Sequence, residues 1–496
     1  MRFDLATSRF VEDAVRPDAP AVVGADRTLS WRELAEQAGA WRDAAVAAGY
    51  GVDTPVIVRG HKEAAFFVAI AGALLLGAPF VPLDTIYPDE RMARIAHTLA
   101  AQGYFDARVG AFRRFDGTEP RASPAMPALR ETSLAYVLFT SGTTGEPKGV
   151  QIGRESVAAL VDWMAADFGL GDHPVFLNQA PFSFDLSMYE VFGTLALGGT
   201  IVLASRAVAV PGPAFVSMLA EQRVDTWVST PSFAQQQLLD PRFAEQALPT
   251  LRTFLFCGEV LPVPLARRLR ERFPGARIVN TYGPTEATVA TTSIVIDDAV
   301  LAAHPERLPI GYARRSGAVF IEGGELCIAG PHVMRGYLNR ADLNATRMFE
   351  HAGMRAFRTG DLGTVDEDGL LFCQGRIDDQ VKLGGYRIEL AEIDAAISAL
   401  PGSPRAAAVP LRRPDGSVAR IVGFVATGAN DAQVDSVSLP SDWRVRLAER
   451  LPPYMIPSEL IACRALPVTV NFKVDRVRLA EDYRNAKFEP LARTHD

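Results

Sequence analysis

The sequence predicts an α/β protein. A large amino-terminal domain holds two parallel-rich βα sheets and a small β-barrel-like subdomain, and a small α+β domain follows it. Three observations carry this. Up to about Ile296, helical patterns alternate with short, continuously apolar strand patterns, as parallel strands covered by helices on both faces require. Beyond Ile296 the chain turns to glycine-punctuated apolar runs, the pattern of antiparallel strands. After Gly375-Arg376-Ile377-Asp378-Asp379 the character changes again, which sets the expected domains at residues 1–377 and 378–496.

A chain of 496 residues exceeds one ordinary domain. Apolar residues at 48 % and charged residues at 22 % match a soluble globular protein. A net charge of −7, with no lysine or arginine run, excludes bulk nucleic-acid binding. Four cysteines stand far apart without CxxC spacing, the pattern of reduced thiols in a cytoplasmic protein. The histidines are scattered, so no metal cluster is expected. The opening MRFDLATSRFVEDA places acids where a signal peptide needs its apolar core.

Taken in order, Ser30 with Glu33 forms a capping box ahead of an alanine-rich helix that runs to Gly49. Ala64 to Leu83 carries no charge for twenty residues, long enough to span a bilayer. Gly72, Gly77, Pro79 and Pro82, and the lack of an aromatic belt at both ends, favour a buried helix followed by a buried strand. No membrane association is expected. A helix from about Asp89 to Ala101 and a polar surface connection from Gly110 to Arg130 come next.

Tyr136 to Thr140 reads as a buried strand. Within the nine residues that follow lie three hydroxyls (Ser141, Thr143, Thr144), three glycines (Gly142, Gly145, Gly149) and Lys148. Glycines let successive N–H groups point at one spot, which makes an anion nest, and hydroxyls and an ammonium add donors. A polyphosphate is the ligand this chemistry fits. The loop is not a Walker A motif, because no Ser or Thr follows Lys148.

A helix over about Glu155 to Phe168 and the strand Val175 to Gln179 lead to APFSFDLSMYEVFG. Asp185, set among large apolar residues, reads either as a helix cap or as a buried anion awaiting a cation. Strands are then expected at Thr200 to Ala204, Thr226 to Thr230, Thr253 to Cys257 and Arg277 to Asn280, with helices between them. Ligands belong at the carboxyl ends of such strands. Glu286, after a Gly-Pro turn at one such end, reads as a surface carboxylate or as a magnesium ligand. Strands at Ala318 to Ile321, Glu325 to Ala329, Gly363 to Asp366 and Leu370 to Gln374 form the antiparallel portion, with Asp361 beside a glycine where a sugar hydroxyl could be held. Gln380 to Arg387 and a helix from Glu389 to Leu400 open the smaller unit. Its longest loop is expected at Gly428 to Ser441.

LFTSGTTGEPKG, NTYGPTEAT, FRTGDLG, GRIDDQVKLGGYRIEL and PVTVNFKVDR, in that order, resemble the phosphate loop, adenine and magnesium segment, ribose segment, hinge and carboxyl-terminal lysine motif of the adenylate-forming superfamily. Within it, QAPFSFDLS, STPSF, FLFCGEVLP and IVNTYGPTEATVA look most like the free-standing D-alanine:carrier-protein ligases and their aminoacyl relatives. The resemblance implies ATP-dependent activation of a small amino acid as its adenylate, with release of pyrophosphate. Transfer to the phosphopantetheine thiol of a separate carrier protein follows, with the small domain swinging about Asp378.

The resemblance assigns Lys473, Glu286 and Thr143 to catalysis, and Glu286 to Mg2+. It assigns Ser141, Gly142, Thr143, Thr144, Gly145, Lys148, Asn280, Tyr282, Gly283, Thr285, Asp361 and Arg376 to ATP, with Tyr282 near adenine and Asp361 and Arg376 on the ribose. It assigns Gly384 and Gly385 to a thiol tunnel. The amino-acid pocket it implies is Asp185, Leu186, Tyr189, Val228, Leu255, Cys257, Thr281, Val289 and Ala290, with Asp185 pairing the substrate ammonium. Tyr189 and Leu255 take up space, so alanine of either hand, glycine, serine or proline is the expected class. Cys257 matches the D-alanine ligases and Tyr189 departs from them. Phe472 stands where the family usually has glycine before its lysine. Arg444, Arg446 and Arg450 are either a surface for an acidic carrier or a solvated helix face. The rival functions are an acyl-CoA ligase using soluble CoA, which predicts no carboxylate at Asp185, and a non-catalytic nucleotide-binding relative.

Overall fold

The computed structural model describes residues 1–12, 17–115, 133–142, 146–401, 403, 405–413, 416–426, 440–463, 465–468, 474–485 and 492–494. They divide into two compact units. One comprises Met1–Thr85, Ala96–Phe139 and Gly149–Ile377; the other comprises Ile86–Ile95, Thr140–Lys148 and Asp378–Asp496.

The first unit is built on two large sheets. A nine-stranded sheet among the described residues runs Tyr312–Ala313, Thr292–Val295, Arg277–Tyr282, Thr253–Phe256, Thr226–Ser229, Val175–Asn178, Thr200–Leu203, Pro20–Val23, Thr28–Ser30. Its six central strands, Arg277–Tyr282 through Pro20–Val23, are parallel. Strands such as Thr226–Ser229 and Thr253–Phe256 are buried along their whole length, which is why they read as unbroken apolar runs. Among the described residues the second large sheet has seven strands, with Leu134–Thr140, Phe80–Asp84, Val56–Gly60 and Gly103–Asp106 parallel at its centre.

Ser30 caps Trp31–Ala47 with the expected reciprocal box. Ala64–Leu76 is a helix buried on nearly every face, ending at Gly77 in the left-handed conformation (φ 76°), and Phe80–Asp84 is the strand after it. Gly72 on that helix allows close approach to Trp41, whose ring would lie 2.5 Å from an added Cβ. Among the described residues no helix is long and apolar enough to cross a membrane. The antiparallel portion expected after Ile296 is a five-stranded sheet dominated by Met354–Val365.

Two segments differ from the sequence reading. Ala111–Arg114, expected within a surface connection, is an edge strand paired with Gly103–Asp106; residues 116–130 of that connection lie outside the described residues. The phosphate loop leads first into a strand, Lys148–Gly153, and only then into the helix Arg154–Asp167. Glycines at both ends of that strand mask its alternation.

The second unit carries the hairpin Gln380–Leu383 and Tyr386–Glu389, the helix Leu390–Ser398, and a four-stranded sheet led by the long pair Arg405–Arg412 and Val418–Ala426. The loop expected at Gly428 to Ser441 lies almost wholly outside the described residues.

Candidate functional site

Three parallel strands end side by side in the first unit. Val228 pairs with Leu255, and Leu255 with Val279, so that Cys257 and Thr281 emerge at neighbouring carboxyl ends. The helix Ser187–Leu197 brings Tyr189 to them: its hydroxyl donates to Thr281 Oγ1 at 3.3 Å, and Thr281 in turn donates to the Phe256 carbonyl at 2.8 Å. Burial raises the Tyr189 phenol well above its usual range, so it stays neutral. Cys257 Sγ lies 3.6 Å from the Val289 carbonyl. Leu186, Tyr189, Val228, Leu255, Cys257, Val289 and Ala290 belong to one buried hydrophobic cluster. The residues expected to line an amino-acid pocket are therefore brought together in one region.

Asp185 stands at the edge of this region. The helix that follows takes Leu186 as its cap residue. Asp185 Oδ2 accepts from Thr285 Oγ1 at 2.7 Å. Thr285 opens the 3₁₀ turn Thr285–Ala287, which buries Glu286 completely (0 % exposed). The surface-carboxylate alternative for Glu286 is thereby corrected, because Tyr337 folds over it and donates to Oε1 at 2.6 Å.

Just beyond, Thr288 (φ 51°) and Val289 (φ 71°) adopt the left-handed conformation that β-branched residues avoid. The turn is tied down on several sides. Thr288 Oγ1 donates to the His332 carbonyl at 2.7 Å, and Thr291 N–H to the Tyr282 carbonyl at 2.7 Å. The His332 ring faces Thr291 Oγ1 at 2.9 Å, and burial pushes its pKa down to about 3, so it is neutral. No local sequence signal marks His332 or this strain.

The expected nucleotide residues form a second group in the same unit. Asn280 donates to the Pro309 carbonyl at 2.8 Å. Gly283 allows the chain to pass within 2.5 Å of where a Cβ would meet Ala290 Cα. Tyr282 donates to Asp361 Oδ2 at 2.5 Å, and Arg376 donates to Asp361 Oδ1 at 2.9 Å.

In the second unit, Ser141 donates to the Arg387 carbonyl at 2.8 Å, Gly142 N–H to Glu392 at 3.3 Å, and Lys148 Nζ to Glu389 at 2.8 Å. Two donors of the loop thus each meet a carboxylate. Gly142 is required there, since an added Cβ would sit 1.8 Å from the Glu146 carbonyl oxygen. Thr143, Thr144, Gly145, Phe472 and Lys473 lie outside the described residues. Asp378 Oδ1 accepts from Gln380 N–H at 3.3 Å. Gly384 (φ 57°) and Gly385 (φ 83°) are the two central residues of the hairpin turn, a positive-φ pair that explains both glycines locally. Arg446 pairs with Asp442 at 2.8 Å, Arg450 with Glu90 at 3.7 Å, and Arg444 donates to the Ser458 carbonyl at 2.5 Å. Each of these arginines has an internal partner.

An open cleft of about 530 Å³ lies at the other, amino ends of the parallel strands, lined by Val175, Thr200, Asp225, Thr226 and Arg252 among others. None of the candidate residues borders it. Asp225, half-buried at its wall, serves the sheet by accepting from Val175 N–H and Thr226 Oγ1.

The family described as AMP-binding enzyme matches residues 10–338. The chain is 36 % identical over 496 residues to a D-alanine–D-alanyl carrier protein ligase of Bacillus velezensis, covering 94 % of this chain and 97 % of the relative. It is 40 % identical over 450 residues to a ligase of the same name from Lactiplantibacillus plantarum, covering 85 % and 87 %. The crystal structure of the Vibrio cholerae adenylation domain AlmE, in complex with glycyl-adenosine-5′-phosphate, matches with a TM-score of 0.81 at 22 % identity, over 97 % of each chain. At that identity the likeness carries the fold.

Proposed function

This chain belongs to the AMP-binding enzyme family, and we propose that it is an AMP-forming ligase that activates a small amino acid and passes it to a carrier protein. The observation that supports this best is Asp185: a carboxylate held by Thr285 at the edge of an otherwise apolar, fully buried cluster. A half-buried carboxylate so placed pairs well with a cationic substrate group, and an α-ammonium is one. The names of the curated relatives make D-alanine the first substrate to try, with a carrier-protein thiol as acceptor.

In the first half-reaction a carboxylate oxygen of the amino acid attacks the α-phosphorus of ATP, and the bond to pyrophosphate breaks. The chain's part is to position and to neutralise charge. Lys148 and the N–H groups of the loop would hold the phosphates, Asp361 with Arg376 the ribose, and Tyr282 the region of the adenine. Lys473 would neutralise the reacting carboxylate and α-phosphate. Glu286, a buried carboxylate that accepts from the Tyr337 hydroxyl, fits the single-carboxylate ligation that Mg2+ takes beside phosphates. Magnesium would supply charge neutralisation there. In the second half-reaction the carrier's phosphopantetheine sulfur attacks the acyl carbonyl and AMP leaves; Asp378 serves as hinge and Gly384 and Gly385 border the thiol's path. Dependence on ATP supports a cytoplasmic location for this activity.

Amino-acid-dependent ATP–pyrophosphate exchange, run over the proteinogenic amino acids with D-alanine and β-alanine, tests the reading. Exchange is expected with one or a few small amino acids. Asp185→Ala should lower kcat/KM at least 100-fold, about 3 kcal/mol for a lost charge-assisted contact. Exchange driven only by acids lacking an amine would replace the reading with an acyl-CoA ligase.

A further inference from the structure

Lys62 lies between the strand Val56–Gly60 and the helix Ala64–Leu76, two elements buried almost throughout, and is carried into the core with them at 5 % exposure. Its ammonium donates to Asn178 Oδ1, at the end of a central strand, and to the Ala180 carbonyl at 2.5 Å. It also lies 4.8 Å from the centre of the Phe182 ring, which stacks on Phe66. One side chain thus grips Asn178, Ala180 and Phe182, along the segment that leads to Asp185.

Glu190, the next residue after Tyr189, is fully buried on the helix that begins beyond Asp185. Its carboxylate faces the Lys62 ammonium and the Asn178 amide. Asp84, Glu63 and Arg206 also face Lys62, and Asp84 is itself bonded to His61 Nδ1 at 2.8 Å and to Arg206. A carboxylate and an amine buried together cost several kcal/mol of desolvation. Such a pair persists where it does a job that apolar residues would not.

We infer that Lys62 and Glu190 are positioning residues: they hold the Ala180–Asp185 segment between strand and helix, and so set the direction in which Asp185 presents its carboxylate to the substrate amine. Part of this rests on the function proposed above. Burial supports it, pushing Lys62 down to about 7 and Glu190 up to about 8, so that both tend toward their neutral forms. Moving one proton from amine to carboxylate leaves the pair's total charge unchanged. The two therefore titrate as a unit, and the grip on Ala180 survives the transfer because a neutral amine still donates.

The test uses Lys62→Met, with Lys62→Arg as the conservative rescue, and reads two things. Hydrogen–deuterium exchange over residues 179–187 needs no substrate, and is expected to speed at least 10-fold in Lys62→Met and return toward wild type in Lys62→Arg. In pyrophosphate exchange the KM for the amino acid should rise at least 10-fold while the KM for ATP stays within 2-fold. Unchanged protection of 179–187 overturns the inference. So does a loosened segment with an unchanged amino-acid KM, or an equal rise in both KM values. If Lys62→Met does not fold, Lys62→Leu, which likewise has no donor, is read by the same criteria. A wild-type protein that shows no amino-acid-dependent exchange sinks the proposed function instead, and the exchange rates over 179–187 still decide whether Lys62 pins the segment.

Discussion

Asp361 offers the sharpest energetic test of the nucleotide group. Its two oxygens serve two different partners, the Tyr282 hydroxyl at 2.5 Å and the Arg376 guanidinium at 2.9 Å. The carboxylate is 9 % exposed and the guanidinium 14 %, so water replaces little of what is lost. Asp361→Ala leaves the buried hydroxyl without its charged acceptor, about 1.5–3 kcal/mol. It also removes a counter-charge from a mostly buried guanidinium; with some solvent access this adds about 1–2 kcal/mol, below the 3–5 of a fully buried pair. The expected loss is about 2.5–5 kcal/mol in equilibrium urea unfolding. Asp361→Asn, which keeps an acceptor, should lose about 1–2 kcal/mol. Because the hydroxyl is part of the effect, Asp361→Ala in a Tyr282→Phe background should cost about 1.5 kcal/mol less than in wild type. Strict additivity of the two changes, or a loss below about 0.5 kcal/mol for Asp361→Ala, would refute the reasoning. In the exchange assay the same variants should raise the KM for ATP more than that for the amino acid.

Two further outcomes are expected. Burial raises Asp225 from its usual 3.8 to about 6, so the folded protein binds that proton more tightly than the unfolded chain. Its contribution favours folding at low pH and is lost as pH rises from about 4 to about 6. Asp225→Asn, which cannot titrate, should therefore gain up to about 3 kcal/mol relative to wild type between pH 4 and 7; a flat difference in urea unfolding across that range would count against it. Gly384→Asn should keep the hairpin, since asparagine tolerates positive φ and an added Cβ there meets nothing within 4 Å. Pyrophosphate exchange should persist in that variant while loading of a carrier thiol slows; equal loss of both would remove Gly384 from the thiol's path.

Much of the chain was legible because the signals were local. The Ser30–Glu33 box, the apolar helix and strand over residues 64–84, and the buried strands of the large sheet each depend on neighbours in sequence, and each is where the pattern put it. The strand Lys148–Gly153 was not legible, because it begins inside a glycine-rich loop and its glycines break the alternation. Lys62 in GHKEAAFF reads as an ordinary surface lysine. Nothing nearby in sequence announces that Asn178 and Ala180, more than a hundred residues away, will close around it. Glu190 had a weak signal, a lone acid in MYEVF, and Asp185 five residues earlier drew the attention instead.

The sequence by itself determined which chemical groups this protein owns and in what order: a hydroxyl- and glycine-rich loop, a carboxylate among aromatics, a second after a Gly-Pro turn, an aspartate and an arginine near the end of the β-rich part. Those are covalent facts, and recognition by motif needs no more. Which group meets which was decided only by tertiary structure. Parallel pairing of three strands carries Val228, Leu255 and Thr281 to one end of the sheet. A crossover helix lays Tyr189 against Thr281, and a turn forced to positive φ at Thr288 and Val289 closes in beside Cys257. The physical reason is range. Capping, periodicity and turn chemistry act over a few residues, whereas burial and charge pairing act between whichever groups the sheet topology happens to bring within a few ångströms.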